Sequence, residues 1–150
     1  MDLILWRHAE AEDGLPDLKR ELTDKGRKQA GRMADWLNPR LPQNAQVLVS
    51  PARRTLQTAR ALGRSYTEVA ALAPGATAEA VLAAAGWPDA GYPVLIVGHQ
   101  PTLGQVAMLL LSGQPTDVTI KKGAIWWFQS RERGGERQVV LRAVVGPDWL

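Results

Sequence analysis

Val94-Leu95-Ile96-Val97-Gly98-His99 is the stretch on which the fold turns. Its first five residues have no polar side chain and no alternation, which is how a strand buried on both faces reads. Such strands belong to parallel sheets covered by helices on both sides, so helices are expected before and after it. Downstream, a helical pattern runs from about Pro101 to Leu111 and ends at Gly113. Upstream, Thr77 is placed to cap a helix through Ala85, which Gly86 and Pro88 stop.

The same alternation continues toward the first residue. Leu3-Ile4-Leu5-Trp6 is a second buried run. Thr23 then offers an N-cap, and Ala30, Met33, Ala34 and Leu37 recur at helical spacing until Asn38-Pro39. Val47-Leu48-Val49 makes a third strand, after which Ser50-Pro51 reads as an N-cap with proline in the first helical position. Ala52, Leu56, Ala59 and Leu62 form that helix's apolar stripe. Residues 65–75 carry no decisive pattern. The tail changes character: Ala124 to Phe128 and Val139 to Val145 are strand-like around Gly134-Gly135, a hairpin at a sheet edge. The expected fold is α/β: one domain over residues 1–150, a three-layer α/β/α sandwich with a mainly parallel sheet and an antiparallel edge hairpin.

Composition narrows the function. A chain of 150 residues can bury roughly 70% of its unfolded surface and needs no staple. It has no cysteine, which removes disulfides, thiolate nucleophiles and iron–sulfur clusters. The net charge of +3 is scattered, with Arg53-Arg54 and Lys121-Lys122 the basic pairs, so a nucleic-acid partner is not expected. Without a basic n-region, a signal-like start or a membrane-length apolar run, a cytoplasmic monomer is expected. The alanine- and arginine-rich, lysine-poor composition suggests a bacterial source.

In open α/β sheets, ligands bind beyond the carboxyl ends of the parallel strands. Those ends deliver Arg7-His8, Ser50 with Arg53-Arg54, and His99; the two histidines are the only ones in the chain. Two guanidiniums (Arg7, Arg54) and two imidazoles in one pocket would repel one another unless an anion occupied it. Phosphoryl suits them, because arginine's planar fork matches its oxygens in pairs and the helix near Pro51 would aim free N–H groups the same way.

These residues resemble the histidine phosphatase superfamily (phosphoglycerate-mutase-like), and within it the SixA-type phosphohistidine phosphatases. Arg7-His8-Ala9-Glu10-Ala11 is similar to the family's R-H-G/A opening, and Leu22-Thr23-Asp24-Lys25-Gly26 with Gln29-Ala30 to its L-T-x-x-G-x-x-Q-A. Ser50 to Ala59 resembles S-P-x-x-R-x-x-Q-T-A, with the arginine at Arg54. Val97-Gly98-His99-Gln100-Pro101-Thr102-Leu103 resembles V-G-H-x-P-x-L, and Lys121-Lys122-Gly123-Ala124 resembles K-G-A. The resemblance implies that His8 is a nucleophile that becomes phosphorylated, that Arg7, Arg54 and His99 bind the phosphoryl oxygens, and that no metal or cofactor takes part. His8 must be unprotonated, and Arg7, Arg54 and His99 are expected to lower its proton affinity. Many members carry a glutamate as general acid where this chain has Ala71; Glu68 is nearby but not aligned to that role. A leaving group that needs no acid, such as a protonated phosphoimidazole, fits that departure. The implied partner is a phosphorylated protein, a phosphohistidine carrier or phosphotransfer domain, with a small phosphorylated molecule as the alternative.

Two further readings stay open. His8, Glu10 and His99 could form a metal triad for hydrolysis, although Arg7 and Arg54 would repel the ion. A non-catalytic module that only binds phosphorylated protein is the other. Glu10 and Glu12 read as solvated loop residues, and Lys121-Lys122 as a charged lead into a strand that could also meet an acidic partner. Gln57 and Thr58 are expected in packing or supporting hydrogen bonds. Trp126 and Trp127 would point to opposite faces, leaving one exposed.

Overall fold

The computed structural model describes residues 1–150. Its elements are β1 (Asp2–Arg7), α1 (Asp24–Leu37), β2 (Gln46–Val49), α2 (Arg53–Arg60), β3 (Thr67–Glu68), α3 (Ala78–Ala85), β4 (Val94–Gly98), α4 (Thr102–Ser112), β5 (Ile125–Arg133) and β6 (Glu136–Val145). They form one six-stranded sheet in the order β3-β2-β4-β1-β5-β6. The strands from β3 to β1 are parallel, and β5 and β6 continue the sheet as an antiparallel hairpin at its edge.

Successive side chains on the central strands go to opposite faces, and both faces are covered. Leu3, Leu5, Val94 and Ile96 pack with Val81 of α3 and Leu103 and Val106 of α4. Ile4, Trp6, Leu95 and Val97 pack with Met33 and Leu37 of α1 and Ala59 of α2. This is the expected three-layer arrangement. It also explains why β4 reads as an unbroken apolar run: all five of its residues are buried. No helix is long and apolar enough to cross a membrane.

Local chemistry agrees with the sequence at most element ends. Thr23 caps α1 by accepting from the Gly26 N–H at 2.9 Å, and Thr77 caps α3 by accepting from the Ala80 N–H at 3.1 Å. Two expectations need correction, and one undecided stretch is resolved. Ser50 does not cap α2: that helix begins three residues later, at Arg53, behind an extended Ala52 with no side-chain cap, while the Ser50 hydroxyl meets His99 Nε2 at 2.6 Å and accepts from the Ala52 N–H at 3.4 Å ahead of the helix. The undecided stretch 65–75 holds the short edge strand β3 and a 3-10 turn at Ala70–Leu72. Neither Trp126 nor Trp127 is exposed. Trp127 is buried, with Trp36 edge-on at 6.5 Å and the Arg142 guanidinium 5.1 Å from its ring, while Trp126 is half-buried and stacks obliquely beside Phe128. Alternation on a doubly covered sheet sends consecutive side chains to two buried faces.

Candidate active site

Register brings the two histidines together. Arg7 of β1 pairs with Gly98 of β4, so His8 and His99 leave adjacent parallel strands at the same height. The His8 N–H donates to the Gly98 carbonyl at 3.1 Å, and the two rings lie 5.3 Å apart, centroid to centroid, inclined by 57°. Both are buried. The Ala9 carbonyl, which can only accept, lies 2.7 Å from His8 Nδ1. Nδ1 therefore carries the ring proton, and the lone pair of neutral His8 is on Nε2. His99 Nε2 lies 2.6 Å from the Ser50 hydroxyl, for which no other acceptor is present. Ser50 thus donates, and the His99 proton is on Nδ1.

Both arginines reach this pocket from different layers. Arg7 ends β1, and its Nη1 donates to the Ile120 carbonyl at 2.8 Å. Arg54 sits in the first turn of α2 and is almost fully buried. Its guanidinium donates to the Asp17 main-chain carbonyl at 2.9 Å and to the Asp17 carboxylate at 3.1 Å. Thr58, one turn along α2, ties this helix to the loop after His8: its hydroxyl accepts from the Ala9 N–H at 3.1 Å and donates to the Arg54 carbonyl at 2.8 Å. Gln57 likewise accepts from the Leu22 N–H. Supporting hydrogen bonds, as expected for this pair, are what the structure assigns them.

Burial and charge act in one direction on both rings. His8 is held down to about 4, first by burial and then by Arg54, Arg7 and Arg20; the hydrogen bond to Ala9 opposes this. His99 is held down to about 3 by burial, then by His8 and Arg54. Two parts of the sequence expectation change here. Burial outweighs the neighbouring charges, and the third cation acting on His8 is Arg20, since His99 is itself neutral.

Four buried side-chain polar atoms have no protein partner: Arg7 Nε, Arg54 Nε, His99 Nδ1 and Trp127 Nε1. The first three belong to this cluster and are donors. Orphaned buried donors cost roughly 1–3 kcal/mol each, so their concentration at one sheet edge marks a place built for an acceptor-rich ligand.

The other expectations fall outside this pocket. Glu10 turns its carboxylate to the Thr23 hydroxyl at 2.8 Å, and no three His, Asp or Glu side chains converge in a metal-holding group. The triad His8, Glu10 and His99 is therefore not assembled. Ala71 is exposed on its 3-10 turn, and Glu68 ends β3, three strand spacings or about 14 Å from β1. Asp17 and Arg20 were missed by sequence reasoning. Burial opposes ionisation of the Asp17 carboxyl, but hydrogen bonds from Arg20 and Arg54 hold it below the usual carboxylate range. Its pairing with Arg20 is local, but nothing local marks Asp17 as a neighbour of Arg54, 37 positions away.

Comparison with known proteins adds the lineage. A model of the histidine phosphatase superfamily (branch 1) matches residues 3–75. An uncharacterized protein of Mycobacterium tuberculosis is 33% identical over 121 residues, 76% of this chain and 75% of that one. This chain belongs to the histidine phosphatase superfamily. It is a phosphatase, and its fold is shared along nearly its whole length with SixA proteins. The protein histidine phosphatase SixA, solved with tungstate, is 26% identical with a TM-score of 0.80, covering 99% of this chain and 98% of that chain. A SixA from Nakamurella multipartitia is 27% identical with a TM-score of 0.74, covering 97% of this chain and 95% of that chain.

Proposed function

We propose that this phosphatase removes the phosphoryl group from phosphohistidine on a protein, through a covalent intermediate on His8 and without a metal. The observation that carries the reading is the set of three orphaned donors around a histidine whose free lone pair is on Nε2. A phosphoryl group brings acceptor oxygens for Arg7, Arg54 and His99, and Nε2 attacks the phosphorus in line with the leaving group. The bond from phosphorus to the substrate nitrogen breaks as the bond to Nε2 forms. Positive charge then builds on the His8 ring, where the Ala9 carbonyl stabilises the Nδ1 proton. Water attacks next, the Nε2–phosphorus bond breaks, and phosphate leaves with the proton that water gives up.

The substrate class is argued from the leaving group. A protonated phosphoimidazole leaves as neutral imidazole and asks for no general acid, whereas an alkoxide needs one. Ala71 cannot supply a proton, and the half-exposed Asp17 is held ionised by two arginines. The related SixA was solved with tungstate, a tetrahedral oxyanion of the kind that these donors suit.

Phosphate release from a histidine-phosphorylated carrier protein and from a serine-phosphate peptide, both in excess chelator, tests the reading. Release from the carrier alone is expected. Equal release from both would place the activity on phosphomonoesters and show that another residue supplies the proton. Phosphate binding with no release from either would leave a binding module.

A further inference from the structure

Beside the catalytic cluster lies a groove of about 510 Å³, and Arg7 lines its wall. Lys25 at the start of α1 and the consecutive Lys121 and Lys122 line it as well, and Trp149 and Asp148 stand at its rim. The lysine turn is fixed to the catalytic chain. Gly123 donates its N–H to the His8 carbonyl at 3.0 Å, and the Arg7 N–H donates to the Ala124 carbonyl at 3.1 Å. The Trp6 indole N–H donates to the Gly123 carbonyl at 3.0 Å. A ligand in the groove is thereby held at a set distance from the nucleophile.

The charge of the groove is one-sided. Four cations, Arg7 and the three lysines, face two carboxylates, Glu10 and Asp148. Glu10 is engaged by Thr23. Asp148 meets Lys121 only at 3.7 Å, with both side chains more than two-thirds exposed, a pair that contributes little and exchanges readily. Trp149 is 87% exposed, a large flat ring at the edge of a positive groove. Small-molecule sites cover most of their ligand, whereas here the lysines, Asp148 and Trp149 lie open to solvent. An extended chain lying across the opening suits this shape better than an enclosed metabolite.

We propose that this groove docks an acidic segment next to the phosphohistidine of the protein substrate. Lys25, Lys121 and Lys122 pair with its carboxylates, and Trp149 covers the apolar part of the segment. The inference rests on the protein-phosphohistidine reading above and adds the chemistry of the flanking residues. Asp148 competes for Lys121, so its removal favours docking and the loss of the lysines opposes it.

The test compares three probes: a synthetic phosphohistidine peptide flanked by glutamates, its glutamine counterpart, and phosphoramidate, which reaches the catalytic pocket alone. Wild type is expected to show a KM about tenfold lower for the glutamate peptide than for the glutamine peptide at low salt, a difference that fades at about 0.5 M salt. In the Lys121→Glu, Lys122→Glu double variant, kcat/KM for the glutamate peptide relative to phosphoramidate falls about tenfold, mostly through KM. Asp148→Asn moves the same ratio the other way. Equal KM values for the two peptides, or a double variant with an unchanged ratio, would overturn the docking site while leaving the phosphohistidine reading intact. Hydrolysis of phosphoramidate but of neither peptide would overturn both. Competitive inhibition by a nucleoside diphosphate, with no preference between the peptides, would assign the groove to a small anion and refute the proposal.

Discussion

Lowering the pH from 7 to 5 is expected to destabilise this protein by about 4 kcal/mol, half of it through each histidine. An unfolded histidine protonates near 6.5, whereas buried His8 and His99 are held down to about 4 and about 3. At pH 5 both are therefore neutral in the native state and charged in the unfolded chain. Each folded value lies below the unfolded one, so the unfolded state binds more protons across this window and stability rises with pH. Integrated from pH 7 to pH 5, each such group contributes about 2 kcal/mol. The chain has no other histidine to add to this difference. Urea unfolding at the two pH values measures the difference in wild type, His8→Gln and the double variant His8→Gln, His99→Gln. The expected loss is about 4, about 2 and near zero kcal/mol respectively. A wild type equally stable at both pH values, or a single variant with the full loss, would refute the claim that a buried, neutral His8 stands ready as a nucleophile at neutral pH.

Asp17 holds Arg54, and its negative charge opposes an incoming anion. Asp17→Asn keeps the main-chain acceptor and is expected to tighten tungstate binding about fivefold, roughly 1 kcal/mol for a screened, half-exposed charge. Weaker binding by calorimetry would mean that the carboxylate positions Arg54 rather than competes for it. Gly26→Ala is expected to destabilise by about 3 kcal/mol or more in urea unfolding, since a Cβ there would stand 1.9 Å from the Glu10 carbonyl oxygen. A loss under about 1 kcal/mol would show that the loop after His8 yields easily.

The sheet was legible because its central strands are buried on both faces: Leu3 to Trp6 and Val94 to Gly98 can be read without any partner in view. The hairpin's position at an edge was legible from its turn glycines, and the capping by Thr23 and Thr77 from local hydrogen-bond chemistry. The convergence of Arg7, His8, Arg54 and His99 followed from where parallel strands end. What escaped were features that depend on a distant partner. Ser50 has the spacing of a cap, but α2 starts only at Arg53, and the Ser50 hydroxyl faces a histidine 49 positions away. Asp17 and Arg20 lie in a polar loop whose closure over Arg54 has no periodic signature. The faces of Trp126 and Trp127 follow from the strand, but their burial depends on Trp36, Arg142 and the covering layers.

The central claim is that His8 carries the phosphoryl group during turnover. Rapid quenching into alkali during hydrolysis of phosphoramidate, followed by mass spectrometry, tests it directly. The account predicts an alkali-stable, acid-labile phosphoryl group on the peptide that begins at His8, formed and lost at rates that match turnover and absent in His8→Ala, which no longer turns over. Turnover that persists in His8→Ala, or a phosphoryl group on His99 instead, would contradict it.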